Sequence, residues 1–204
     1  MQLYDDGNGN QFIYNVDGTT QEITISIAYI NVANTHLVIP SQIDGKNVVA
    51  IGANAFHNSD AQQNTLTITF PTTLKRIEDK AFIQCTSLQS VNLHETQVTF
   101  IGGYAFYSCT ALQSIQFPAT LETIGDNAFN NTNLTQTSFL GNPVSRGGNL
   151  RSIGQYAFSN TNIANYDSNS WSYPQEIPAW LEPFLPEQTS SASGDPYISP
   201  FFVL

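Results

Sequence analysis

Apolar and polar residues alternate along this chain in short bursts, and one burst recurs. The segment Ile-Gly-x-x-Ala-Phe occurs at 51–56, 101–106, 124–129 and 153–158, and a fifth copy at 77–82 carries Glu78 in place of glycine. The copies begin 26, 24, 23 and 29 residues apart. That period belongs to solenoids, in which each unit makes one coil and packs only on its neighbours. Ahead of the copies stand short alternating stretches: Leu37-Val38-Ile39-Pro40, Ile68-Thr69-Phe70-Pro71, Val91-Asn92-Leu93, Ile115-Gln116-Phe117-Pro118 and a weaker Thr137-Ser138-Phe139-Leu140. Each predicts a short strand, ended by proline where one follows, because proline has no N–H to pair. A leucine stands three residues before several of them, as at Leu88, Leu112 and Leu134.

Merged, the unit reads Leu-x-x-Val/Ile-x-Phe/Leu-Pro-x-x-Leu-x-x-Ile-Gly-x-x-Ala-Phe-x-x-Cys. Every apolar letter points inward if one unit makes one coil. Like residues then stack about 4.8 Å apart, so that Phe56, Phe82, Phe106, Phe129 and Phe158 form an internal aromatic column. Burial of each such side chain contributes about 1.5–3 kcal/mol. The alanine before each phenylalanine is small because two backbones meet there. The glycine after each isoleucine predicts a tight corner with unusual dihedrals, and Glu78 a slightly different corner. Cys85 and Cys109 share one letter in adjacent units, a separation within disulfide range. Parallel side chains seldom reach the disulfide torsion, so two buried thiols are expected. Asn131 and Asn160 are read at the same letter in later units.

The N-terminal part departs from the repeat. Residues 1–10 are turn-formers centred on Asp5-Asp6-Gly7-Asn8-Gly9-Asn10. Asp6, Asn8 and Asn10 have the alternate spacing of a calcium loop, but Gln11 and Asp17 stand where that loop needs Gly and Glu, so a turn is the reading. Phe12-Ile13-Tyr14-Asn15-Val16 and Ile23-Thr24-Ile25-Ser26-Ile27 predict a hairpin around Asp17-Gly18. It would cover the hydrophobic end of the first repeat. Insertions near residues 59–64 and 141–149 fall between apolar letters and predict surface loops. Past Phe158 the pattern fades through Ile163-Ala164-Asn165-Tyr166, and six of the ten prolines follow Trp171. Residues 178–185 predict a helical turn capping the last coil, and residues 188–195 a linker.

Charged residues are only 11% of the chain and the net charge is −10. That balance is against nucleic acid and anionic membrane surfaces, which require clustered Lys and Arg. The one basic cluster, Lys75, Arg76 and Lys80, sits beside Glu78 and Asp79 and predicts a self-neutralised edge. No apolar run approaches the roughly 20 residues of a membrane span, and Met1 to Asp6 lack the basic start and apolar core of an export signal. His36, His57 and His94 lie in different units without metal-ligand spacing. Neither a nucleophile with a convergent base nor a phosphate-binding glycine loop is present in the pattern. No catalytic residue, cofactor site or metal site is therefore expected. The glycosylation triplets Asn130-Asn131-Thr132 and Asn133-Leu134-Thr135 carry little weight in so Asn- and Thr-rich a chain.

With its Ile-Gly-x-x-Ala-Phe-x-x-Cys letters, the unit resembles the BspA-like class of leucine-rich repeats of bacterial and protist surface proteins. The resemblance covers residues 23–168 and is most specific over Ile77 to Cys85 and Ile101 to Ile124. The stretch Leu37 to Gly52, with its Ile43-Asp44-Gly45 turn, is similar to that family's opening repeat. The resemblance implies a leucine-rich-repeat solenoid of the α/β repeat type, with short parallel strands joined by turns or short helical turns. An N-terminal β-hairpin cap would occupy 1–36, about five repeats of 23–29 residues 37–168, and a Pro-rich cap or tail 169–204. It further implies adhesion or protein–protein contact in a secreted or cell-surface setting, with no catalytic residues to carry over.

The candidate binding surface is the outward side of the strand ladder: Thr67, Thr69, Gln89, Ser90, Asn92, Gln113, Ser114, Gln116, Gln136 and Ser138. Nearly uncharged amides and hydroxyls in a regular row suit another protein or a surface glycan. Without exposed aromatic anchors, contacts on this face are expected to be weak or multivalent. A spacer that displays another domain is the competing reading.

Overall fold

The computed structural model describes residues 1–31, 33, 35–57, 64–134 and 150–161, and the backbone of 136–139. The insertion near 59–64, except Asn64, the insertion at 141–149 and all the elements expected beyond residue 161 lie outside the described residues. In chain order the strands are β1 (Gln2–Asp5), β2 (Gln11–Val16), β3 (Ile23–Tyr29), β4 (His36–Val38), β5 (Gln42–Ile43), β6 (Lys46–Ile51), β7 (Thr67–Thr69), β8 (Arg76–Ile77), β9 (Ser90–Val91), β10 (Phe100–Ile101), β11 (Ser114–Phe117), β12 (Thr123–Ile124), β13 (Gln136–Phe139) and β14 (Ser152–Ile153). A 3-10 turn, Leu93–Glu95, follows β9. The described residues form a β-solenoid of about four coils with almost no helix among them, so the turn variant of the expected repeat is the one realised there.

Each coil contributes two short strands because each has two alternating apolar bursts. The first burst builds the ladders β4-β7-β9 and β11-β13, and the second builds the larger sheet β1-β2-β3-β6-β8-β10-β12-β14, with β5 beside β6. Within the array the pairing is parallel and in phase: Ile51 lies opposite Ile77, Ile77 opposite Ile101, Ile101 opposite Ile124, and Ile124 opposite Ile153. Between the two strand sets lies the aromatic column. Its rings from Phe56 through Phe82, Phe106 and Phe129 to Phe158 are 4.6, 5.1, 5.2 and 5.4 Å apart, and the later pairs are within 6° of parallel. Phe70 and Phe117 close the column from the side, 5.6 Å from Phe82 and 5.5 Å from Phe129.

The recurring glycine, for which the repeat predicts a corner, does something else. Gly52, Gly102, Gly125 and Gly154 all have ordinary φ values. What they require is space: a Cβ on Gly125 would lie 2.4 Å from the Gly103 nitrogen, and one on Gly154 2.3 Å from the Asp126 nitrogen. Glycine is there so that one coil can lie against the next. Glu78 makes no different corner either, for its N–H donates to Ile51 O at 2.9 Å just as Gly102 N–H donates to Ile77 O at 2.8 Å. Nothing in the structure explains why this one coil accepts a side chain.

The unusual dihedrals fall two residues later, on side chains other than glycine. Asn54, Lys80, Tyr104, Asn127 and Tyr156 have φ between 55° and 58°, and Gln84, Ser108, Asn131 and Asn160 between 54° and 60°. At these residues the N–H groups run along the solenoid axis: Tyr104 donates to Asp126 O at 2.8 Å and Ser108 to Asn130 O at 2.9 Å. Asn131 and Asn160 therefore sit level with Gln84 and Ser108, one residue before the cysteine letter, where Asn tolerates the left-handed region. Thr132 and Thr161 occupy the cysteine letter, and their hydroxyls donate to Phe129 O and Phe158 O, both at 2.8 Å. Cys85 and Cys109 are free, buried thiols.

At the N-terminus the structure adds β1, a strand inside the stretch read as turn-formers. Its residues are mostly exposed, so it carries no apolar signal. The loop between β1 and β2 is a turn held by Asp6, whose Oδ1 accepts from Asn8 N at 2.8 Å and Asn10 N at 3.1 Å. β2 and β3 form the expected hairpin, closed by Asp17 N donating to Glu22 O at 2.8 Å. β3 pairs in parallel with β6, so hairpin and array share one sheet. Asp44 (φ 50°) and Gly45 (φ 73°) make the two-residue turn between β5 and β6, as a hairpin with positive φ at both central positions requires. The Tyr14 hydroxyl donates to Asp44 Oδ2 at 2.6 Å. This bond, and burial second, raise the Tyr14 pKa above its ordinary value. In the basic cluster, Lys75 pairs at 2.5 Å with Glu22 from the hairpin rather than with its sequence neighbours, and Arg76 pairs at 2.6 Å with Glu78. The Arg76 guanidinium also lies 4.1 Å from the Phe100 ring.

Three outcomes follow for stability. Phe106→Ala empties the middle of the column and is expected to cost about 3–5 kcal/mol in chemical denaturation. Gly125→Ala should cost at least about 1–3 kcal/mol through backbone overlap, whereas Gly18→Ala, with nothing within 4 Å of the added Cβ, should be near neutral. Because the folded pKa of Tyr14 is raised, its contribution to stability is complete below the ordinary phenol pKa of about 10 and is lost as pH rises through the folded value. A phenolate titration, taken as the difference from Tyr14→Phe, should place Tyr14 above the ordinary phenol value of about 10. Asp44→Asn, which keeps an acceptor but no charge, should bring it back down.

Candidate interaction surface

The ladder face is built by β4, β7, β9, β11 and β13, whose inward residues Leu37, Ile68 and Ile115 are buried. Burial of those letters turns their neighbours outward by strand alternation. Pairing sets His36 level with Thr67 and Thr67 level with Ser90, while Val38 is level with Thr69. Further along, Ser114 is level with Gln136 and Gln116 with Ser138. Gln89, just before β9, donates its N–H to Leu66 O at 2.7 Å. Gln89, Ser90, Gln113, Ser114 and Gln116 are exposed, and Thr67, Thr69 and Asn92 are half-buried. The side chains of Gln136 and Ser138 lie outside the described residues.

These positions do not form one uninterrupted row. After Val91 the chain leaves the strand conformation, with Asn92 at φ −88° and ψ 41°, and enters the 3-10 turn. The Asn92 amide takes over the bonding the backbone gives up: Oδ1 accepts from Phe70 N at 2.6 Å, and Nδ2 donates to Phe70 O at 3.2 Å and to Glu95 Oε2 at 2.8 Å. Asn92 is thus committed to holding the fold, and the ladder divides between β9 and β11. Where Pro71 and Pro118 follow the other strands, His94 follows Leu93, so the stop signal of the neighbouring units is missing at this break.

The first part of the ladder has a member that the pattern of amides and hydroxyls misses. His36 is exposed and bonds both threonines, through Nδ1 to Thr67 Oγ1 and through Nε2 to Thr69 Oγ1 at 3.4 Å. It stands at the same letter as Thr67, so alignment of His36-Leu37-Val38 with Thr67-Ile68-Thr69 marks it. Val38 beside it is 54% exposed, an apolar point on this face. His36, His57 and His94 stand on three different segments of the fold. Cys109 donates its Sγ–H to Phe82 O at 3.2 Å. Burial, with the Cys85 thiol second, pushes Cys109 well above the ordinary thiol range, which suits a packing role. Among the described residues, no helix is long and apolar enough to cross a membrane.

Coils of two short parallel strands around stacked phenylalanines, with an open strand face, define a leucine-rich-repeat solenoid. The chain matches the model of the BspA type leucine rich repeat region in six copies, over residues 26–147 and 142–173. It belongs to that family. Among solved structures it is similar to a leucine-rich repeat protein from Bacteroides ovatus ATCC 8483, with 26% identity and a TM-score of 0.59, over 72% of this chain and 37% of that one. It is also similar to a leucine-rich repeat protein from Bacteroides capillosus ATCC 29799, with 25% identity and a TM-score of 0.53, over 67% of this chain and 96% of that one. The match therefore spans little more than a third of the first relative and nearly all of the second. No curated protein matches the chain. Proteins of this repeat family are generally non-enzymatic and generally serve protein interaction.

Proposed function

We propose that this chain is a non-enzymatic interaction or adhesion module that holds another protein against the polar strand face of its solenoid, in a secreted or cell-surface setting. One observation carries the reading. Ser90, Ser114 and Gln116 are exposed on strands that neighbouring coils hold in place, and Gln89 and Gln113 are exposed immediately before those strands. Side chains on a rigid scaffold need less ordering when a partner arrives. Amides and hydroxyls both donate and accept, so such a row matches a polar protein surface without relying on charge. Among the described residues the face has no large aromatic anchor, which supports binding by several modest contacts acting together.

The triple variant Gln89→Glu, Gln113→Glu, Gln116→Glu tests this surface while leaving Asn92 to brace Phe70. Each change puts a carboxylate where a bound partner would strip its water. Capture of protein partners by chemical crosslinking in extracts or on cells should be lost, with thermal melting unchanged. Capture that survives the triple change would count against the strand face and favour a spacer. A glycan-array signal removed by the same variant would move the ligand to the carbohydrate class.

A further inference from the structure

The turn segments between the second strand of one coil and the first strand of the next make another outward surface, and its chemistry differs from that of the ladder. At its centre Tyr104 and Tyr107 meet with their rings 5.4 Å apart and 56° from parallel. Tyr104 is 37% exposed and Tyr156, at the same letter two coils on, is 52% exposed. The backbone under Tyr104 is fixed at φ 57° by the turn and by its N–H on Asp126 O at 2.8 Å. Tyrosine has few torsions to freeze, so a ring presented this way binds at low entropic cost.

Acidic groups flank the pair. Asp79, one coil before, accepts Gly103 N on Oδ1 at 2.8 Å, and Asp126, one coil after, accepts Gln155 N on Oδ1 at 2.8 Å. Both residues are exposed, so each can still meet a ligand through its other oxygen. The Lys80 ammonium lies 5.8 Å from the Tyr104 ring centroid, so the ring already faces a cation. The whole chain carries a net charge of −10, which speeds the approach of basic partners and slows that of acidic ones.

We infer that the Tyr104–Tyr107 patch docks a basic segment of a partner protein, with an arginine or lysine set over the tyrosine rings and paired with Asp79 or Asp126. Cation–π contact and charge pairing then act on one side chain of the partner. A neutral glycan would stack on the same rings but would gain nothing from the flanking carboxylates or the net charge, and a nucleic acid would be repelled by both. This surface is separate from the strand face and stands or falls independently of it.

The test is fluorescence anisotropy of a labelled hexa-arginine peptide, with hexa-citrulline as the uncharged control. Tyr104→Asn with Tyr107→Asn removes both rings without changing charge, and it copies Asn127 and Asn130 of the next coil, so the backbone letters are kept. The wild-type chain should bind the arginine peptide, less tightly as salt rises, and the double variant should bind it about tenfold more weakly. Lys80→Asn, which removes the resident cation and suits the left-handed backbone, should bind it more tightly than wild type. Equal binding by wild type and the double variant would reduce the effect to general attraction by an acidic surface and overturn the proposal. So would no binding by wild type, unchanged or weaker binding by Lys80→Asn, or a glycan-array signal that the double variant loses.

Discussion

One distance governs this molecule: successive coils stand about 4.8 Å apart, the spacing that backbone hydrogen bonds set between neighbouring strands. Bonds such as Gly125 N to Ile101 O at 2.7 Å and Phe106 N to Ala128 O at 2.7 Å recur at equivalent letters. Everything that repeats does so because it must fit that spacing. Glycine stands where a Cβ would strike the coil before it. Alanine stands beside the phenylalanine whose amide crosses to the next coil. The rings stack at 4.6–5.4 Å because the backbones beneath them allow no more. Side chains complete what the backbone leaves open, as where Thr73 Oγ1 donates to Val48 O at 2.7 Å and Thr120 Oγ1 to Val98 O at 2.9 Å.

An interior held this tightly leaves only the outward letters free to vary, and they vary by face. The ladder presents hydroxyls and amides, the second sheet presents ion pairs and Arg76 over Phe100, and the turns present tyrosine, asparagine and aspartate. Family membership accounts for the interior and suits a role in protein interaction. Any choice of partner under the proposed role would reside in the faces. The break at Asn92 shows how a face can change while the interior does not: the ladder stops, yet the aromatic column passes through Phe82 and Phe106 in register.

Most of the interior was legible in the residues, because burial at a fixed period leaves an apolar letter at each repeat. The stacked phenylalanines and the in-phase isoleucines follow from that, and the hairpin of β2 and β3 follows from its own alternation around Asp17-Gly18. Four features do not. The pattern suggests dihedral freedom for glycine, but its role here is its lack of a side chain, and the left-handed residues stand at another letter because Lys80, Tyr104 and Tyr156 show no preference for that region. The fourth and fifth units replace cysteine by threonine, which keeps the size but not the name of the letter, so Asn131 and Asn160 were placed one residue off. β1 escaped because an exposed edge strand has no apolar face. On the candidate surface the positions were legible but their engagement was not: that Asn92 would turn its amide onto Phe70, or that His36 would join Thr67 to Thr69, depends on the neighbouring coil.

The in-phase register has a consequence for how such a chain changes over generations. The coil that begins at Ile101 offers to Ile124 the same donors and acceptors that Ile77 offers to it. On that sheet a segment of one period can therefore be lost or duplicated without creating a junction of a new kind. The two similar solved chains differ greatly in length, one nearly spanned by the match and the other about a third spanned. In a stack of this sort, reach is a quantity that heredity can lengthen or shorten by whole units while the chemistry of each unit drifts separately.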